Sequence, residues 1–145
     1  MKRNIRRQVC AALLLTSAGL STGLGQTTPH QTAREVIAKI VAAHNAAPVA
    51  NTVDTIKAGD PETPVIGIVT TFMDTFDVLQ KAVANGENLI IIHEPTFYNH
   101  FDDRTLFPGD PVVAAKLAYI EEQNLVVFRF HDGWHRHELD GILKA

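Results

Sequence analysis

Residues 89–93 (LIIIH) and 125–131 (LVVFRFH) share one design, an apolar run that ends in histidine. A polar cluster follows each: EPTFYNH at residues 94–100 and DGWHRH at residues 132–137. A near-continuous apolar run of this length predicts a strand buried on both faces of a parallel sheet, because a strand with one wet face alternates instead. In such sheets the C-terminal strand ends face the ligand crevice. Two histidine-tipped strands lying side by side would bring imidazoles and carboxylates to one place, so the pattern points to a metal site.

The rest of the chain supplies the helices that such a sheet needs. Thr32 with Glu35 three residues on is a capping box, and Val36, Ile37, Ile40, Val41 and His44 then fall on one helical face until Pro48. His44 is thereby a helix-face residue and no ligand. Residues 52–57 alternate as a short strand, and Gly59, Asp60 and Pro61 turn the chain into a second strand over residues 65–72. Asp74 is placed to cap a helix over residues 75–85, with Phe76, Leu79, Ala82 and Val83 inward and Gly86 in the left-handed position that ends it. Asp110 as cap and Pro111 at the first helical position open another helix, reaching about residue 123. Strand, helix, strand, helix, strand is the crossover pattern of an α/β fold, here with a mixed, mainly parallel sheet flanked by helices. Chain order then sets Phe72, His93 and His131 at the same edge of that sheet.

Lys2, Arg3, Arg6 and Arg7 precede an uncharged apolar stretch over residues 9–20 and the small residues 23–25. That order predicts an export signal over residues 1–25, too short for a transmembrane helix, and so a periplasmic or secreted protein. The Arg6 and Arg7 pair leaves open the general secretory and the twin-arginine routes. Residues 26–31 read as a flexible segment and residues 32–145 as one domain with a modest core. Cys10, the only cysteine, would leave with the signal, so a metal must rest on His, Asp and Glu. Loss of the four bases leaves nine against sixteen acids, a formal charge of −7. An acidic chain without a basic patch argues against nucleic acid and anionic membranes as partners of the mature form.

His93 is followed directly by Glu94, and Pro95 keeps the pair from relaxing into a helix. Adjacent side chains on an extended segment point apart, which suits two ligands reaching two ions, or one ligand and one base beyond it. After the second strand, His131, Asp132, His135 and His137 crowd around Gly133 and Trp134. The spacing of His131 and His135 resembles the helical pair of metalloproteases, but the intervening Gly133 and the preceding strand do not meet that motif. The expected ligands are His93, Glu94 and His135, with Glu94 or Asp132 as proton acceptor where not coordinated. His100 either closes over the site or sits on the surface, and His30, in the segment after the signal, has no role.

Residues 53–142 resemble the dinuclear-metal proteins of the Nif-three-like type (NGG-interacting-factor-three-like), also described as GTP cyclohydrolase I type-two homologues. Residues 54–60 (DTIKAGD) look like the family's opening D-N-x-G-L-x-x-G-D, and residues 68–82 resemble its V-A-L-D-x-T strand and the E-A-I type helix after it. Residues 88–97 (NLIIIHEPTF) resemble D-L-I-I-T-H-H-P-L-F, and residues 130–135 resemble the segment H-T-N-L-D. The resemblance implies that His93 stands at the family's first metal-binding histidine and Glu94 at its second. It places His131 at the histidine opening the later segment, as a further ligand, and His135 at that segment's metal-binding aspartate. Glu for His and His for Asp leaves one carboxylate among neutral imidazoles, so the charge balance is kept. Family members are roughly twice as long and draw further ligands from a C-terminal H-x-x-x-E motif, which these 145 residues lack. The expectation is an N-terminal portion of the family fold, cut at the C-terminus; otherwise half of the metal site is absent.

The leading functional expectation is an exported metal-dependent hydrolase of a small molecule, using one or two divalent ions. Zinc, manganese, iron and nickel all suit His and carboxylate ligands. The rival is a non-catalytic metal-binding scaffold, since the resemblance implies ring-like homo-oligomers, commonly hexamers. A nonfunctional truncated product is the third reading. No glycine-rich phosphate loop and no Ser or Cys nucleophile motif identifies a substrate.

Overall fold

The computed structural model describes residues 30–44 and 49–136. The expected export signal, His137 and the C-terminal end of the chain lie outside the described residues. Among those described, no helix is long and apolar enough to cross a membrane.

The elements are α1 (Ala33–His44), β1 (Ile56–Ala58), β2 (Ile68–Thr71), α2 (Phe76–Ala84), β3 (Leu89–Ile92), a 3-10 turn (Arg104–Leu106), α3 (Pro111–Glu122), β4 (Val126–Arg129) and α4 (Asp132–His135). The sheet order is β1-β4-β3-β2, with β2, β3 and β4 parallel and β1 antiparallel to β4. This is the expected α/β architecture with a mixed, mainly parallel sheet.

The two apolar runs are continuous because their strands are covered on both sides. Leu89, Val126, Phe128 and Phe130 pack with Val36, Ile37 and Ile40 of α1. Ile90, Ile92, Leu125 and Val127 pack on the other face with Leu79 and Ala82 of α2 and Ile120 of α3. Each fully buried side chain of this kind contributes about 1.5–3 kcal/mol, so these central strands are the rigid support for whatever follows them. The edge strand β2 alternates instead: Val69 packs on the α2 and α3 side, while Ile68 on the other side is 45% exposed.

Helix ends follow the sequence closely. Thr32 N–H donates to Glu35 at 3.0 Å and Glu35 N–H to the Thr32 hydroxyl at 3.3 Å, the expected reciprocal cap. Asp110 accepts from the N–H groups of Val112 and Val113 ahead of Pro111, and α3 ends near Asn124, whose φ is +51°.

Three local expectations differ. The strand anticipated over residues 52–57 is only Ile56–Ala58, and it lies at the opposite edge of the sheet from β2. Antiparallel pairing with β4 wins because Gly59, at φ +91°, lets the chain graze the Leu125 carbonyl, which a Cβ there would meet at 2.1 Å. The cap of α2 is Thr75, whose hydroxyl accepts from Val78 N–H, while Asp74 turns inward to Lys116 at 3.0 Å. Phe76 is 44% exposed and rests on the Tyr119 ring, leaving Leu79 and Ala82 as the inward anchors of α2.

Candidate metal centre

Strands β3 and β4 are neighbours in register, with Ile92 opposite Arg129, so the residues that follow them emerge together. His93 leaves β3 with its N–H donating to the Phe72 carbonyl at 3.2 Å and its ring stacked on Phe72, centroids 5.3 Å apart. Its own carbonyl accepts from Arg129 Nε at 2.9 Å. Both main-chain groups of His93 are therefore held.

The His131 end is built differently. Asp54 Oδ1 accepts from the N–H groups of His131 (2.7 Å) and Asp132 (2.8 Å), and its Oδ2 accepts from Gly133 N–H (2.7 Å). A carboxylate at three successive N–H groups neutralises the positive end of the short helix α4, which carries His135 one turn after His131. Gly133 is required for that turn, since a Cβ there would lie 2.5 Å from the Phe130 ring. Hence the histidine pair does sit on one helical turn, with His135 N–H donating to the His131 carbonyl at 3.0 Å. The strand before it and the glycine within it are accommodated by Asp54.

His93, His131 and His135 converge. Each offers a ring nitrogen, and these atoms all lie within 4.8 Å of one another. That limit includes the separation of about 3.4 Å expected for two nitrogens on one tetrahedral zinc. The rings of His93 and His131 stack at 4.6 Å, and His135 stands edge-on to both, at 4.9 and 4.7 Å. Burial lowers the His93 pKa below 6.5, and the neighbouring His131 and His135 lower it further against the opposing pull of the Phe130 main chain and Glu94. His93 is therefore neutral at neutral pH, the form that coordinates a metal.

Asp132 spans the back of the cluster. Its Oδ2 accepts from the Thr52 hydroxyl (2.9 Å) and Val53 N–H (3.0 Å), and its Oδ1 lies 3.2 Å from His131 Nδ1. Burial pushes its pKa up, but Val53, Thr52 and His131 together outweigh burial and hold it below the ordinary carboxylate value. With both oxygens engaged, Asp132 orients the His131 ring, and Nε2 is the nitrogen left for an ion.

Glu94 goes the other way. It lines a pocket of about 430 Å³ with Asp74, Thr96, Tyr98 and Lys116, and it is not one of the three converging groups. The two residues lie in a bend just beyond β3, both N–H groups donating to the Phe72 carbonyl, and their side chains serve different cavities. His100 is exposed, its ring 5.4 Å from that of His131. His44 packs edge-on against Phe130 at the end of α1, and His30 is exposed. A second, apolar cavity of about 510 Å³ opens beside His93, walled by Ile40, Phe72, Ile91, Phe130 and Trp134.

Three supporting residues had no role in the sequence reading. Asp54 stood at the head of DTIKAGD, and a short polar residue before a strand carries no signal of what it will accept from 77 residues later. Thr52 is equally silent. Arg129 was legible, as the one charge inside LVVFRF.

No family model and no curated protein matches the chain. Solved structures do: Staphylococcus aureus protein SA1388 matches over 72% of this chain with a TM-score of 0.57 at 14% identity. A Bacillus cereus protein related to NIF3 matches over 73%, with a TM-score of 0.57 at 17% identity. The fold is that of the NIF3-related proteins. HcgD from Methanocaldococcus jannaschii, in its reduced form, matches over 72% with a TM-score of 0.57 at 18% identity. At such identities the likeness establishes the fold alone. The chain spans 29% of the length of the first two proteins and 41% of HcgD, and so covers only part of these NIF3-like chains.

Proposed function

We propose that this chain is a metal-dependent hydrolase acting on a small molecule, with His93, His131 and His135 as the ligands of one divalent ion. The observation that carries the reading is the convergence of three imidazoles from two strand ends within 4.8 Å. Three imidazole ligands would leave a fourth position of a tetrahedral ion for water or substrate, as in catalytic and not structural zinc sites. An ion bound there would supply Lewis acidity toward a carbonyl or phosphoryl oxygen. An all-imidazole set favours zinc, iron or nickel over manganese. Among the described residues no second group of three His, Cys, Asp or Glu converges in this way.

The protein's own contribution is positional. Asp132 sets the His131 ring, Asp54 sets the turn that delivers His135, and the stacked Phe72 sets His93. The apolar cavity beside His93 suits the apolar body of a small substrate whose polar end reaches the histidines. The basic and apolar N-terminus supports export to the periplasm or medium.

Hydrolysis of ester, amide and phosphoester panels with and without a chelator tests the reading. Activity that chelation removes, zinc restores and His93→Ala abolishes supports it; activity indifferent to chelation overturns it. Full metal uptake without any hydrolysis would favour a metal-binding oligomeric scaffold. That reading draws support from the exposed Ile66, Phe101, Leu106 and Val112, each more than 60% accessible.

A further inference from the structure

We infer that Arg129 is a positioning residue of the histidine cluster, holding the two histidine-bearing turns after β3 in place without touching an ion or substrate. The inference rests on the metal-centre reading and adds to it a part that lies wholly in the interior.

Arg129 is 0% exposed, the largest fully buried side chain in the described structure. Its neighbours Phe128 and Phe130 face α1, so its side chain takes the opposite face of the sheet and runs to the strand end. There Nε donates to the His93 carbonyl at 2.9 Å and Nη1 to the His100 carbonyl, and Nη2 lies 3.5 Å from His100 Nδ1. Nη1 also stands 3.6 Å from Asp102 Oδ2, which pairs with Lys57 Nζ at 3.2 Å. Asp102 Oδ1 in turn accepts from Phe97 N–H at 2.8 Å. One guanidinium thus joins the end of β4 to both ends of the loop from His93 to Asp102.

Stability alone does not account for this arrangement. Two buried cations share one buried carboxylate, with side chains only 6%, 0% and 4% exposed for Lys57, Arg129 and Asp102. Desolvating such groups costs several kcal/mol each, and well-packed apolar side chains of like volume often serve the fold as well or better. What an apolar side chain cannot do is bridge two carbonyls, and lysine, a single point donor on a flexible stem, lacks the planar fork that does so. The geometry therefore serves placement: the loop is ordered before an ion arrives, so binding does not bear the cost of ordering it.

Cobalt(II) titration followed by visible absorption tests this on the wild-type chain, Arg129→Lys and Asn88→Ala. Asn88 is the control, a buried side chain just before β3 that accepts from Ile66 N–H and donates to the Pro64 carbonyl, outside the loop from His93 to Asp102. Arg129→Lys is expected to weaken cobalt binding by about tenfold or more and to alter the d–d bands. Asn88→Ala, at a comparable loss of Tm, is expected to stay within about threefold of wild type, since additivity holds for independent sites. In the metal-free chain, Arg129→Lys should also speed amide hydrogen exchange at His93, Glu94 and Phe97 while leaving α1 unchanged. Cobalt affinity and spectrum unchanged in Arg129→Lys would overturn the inference while leaving the metal centre standing. Equal weakening in Asn88→Ala would also overturn it, by tracing the effect to stability. A wild-type chain that takes up no cobalt refutes the metal centre itself, and the role of Arg129 with it.

Discussion

The two strand ends that carry the cluster are fastened by opposite charges. After β3 the chain is held from its carbonyls, by the Arg129 guanidinium on His93 and His100. After β4 it is held from its N–H groups, by the Asp54 carboxylate on residues 131, 132 and 133. A chain bending into a helix presents successive donors and so recruits an anion, whereas the loop after β3 has the N–H groups of His93, Glu94 and Phe97 taken by the Phe72 carbonyl and Asp102 and offers its carbonyls to a cation. The contrast teaches that each turn needs a partner from elsewhere in the chain, and that the two should fail under different perturbations.

The largest effect is expected on the carboxylate side. Asp54→Ala leaves three N–H groups without their charged acceptor and should cost about 3 kcal/mol in urea unfolding, with loss of zinc uptake. A cost below about 1 kcal/mol would show that water replaces Asp54 and that the two ends do not differ as described. Gly133→Ala comes next: its Cβ would lie 2.5 Å from the Phe130 ring, and overpacking of this kind costs about 1–3 kcal/mol. A crystal structure of that variant should show α4 displaced, with the His93 side unmoved. Thr52→Val removes the hydroxyl that donates to Asp132 and accepts from Asp54 N–H, and should cost about 1–2 kcal/mol by thermal unfolding.

The smallest effect separates the ends by pH. His93 has a folded pKa below 6.5, so between 6.5 and that lower value the unfolded chain binds more protons than the folded one. Stability of the metal-free chain should therefore be lost as pH falls through 6.5, and His93→Asn should flatten that slope between pH 7.5 and 5.5. Asp132 is held below 3.8, so its contribution is fully present above 3.8 and is lost only as pH falls through its lower folded value. A urea midpoint that does not move between pH 7.5 and 5.5 would remove the His93 half of this contrast.

The legible parts of the molecule were those governed by local rules. Continuous apolar runs gave away β3 and β4, reciprocal capping gave away α1, and Asp110 with Pro111 gave away α3. Two strand ends lying together then made the meeting of His93, His131 and His135 foreseeable. What could not be read depends on partners distant in sequence. The helical turn at α4 exists because Asp54, 79 residues before Gly133, supplies the acceptor. The placement of β1 beside β4 turns on Gly59 passing the Leu125 carbonyl. Which cavity each of His93 and Glu94 serves was not legible either: both lie in a bend beyond β3, and Glu94 lines the pocket of Asp74 and Lys116.

X-ray absorption at the zinc edge of the zinc-loaded chain tests the central claim most directly. Three imidazole nitrogens at about 2.0–2.1 Å with their outer ring carbons should be seen, falling to two in His135→Ala. A first shell of oxygen alone, or one unchanged by that substitution, would contradict the assignment of the three histidines as a metal centre.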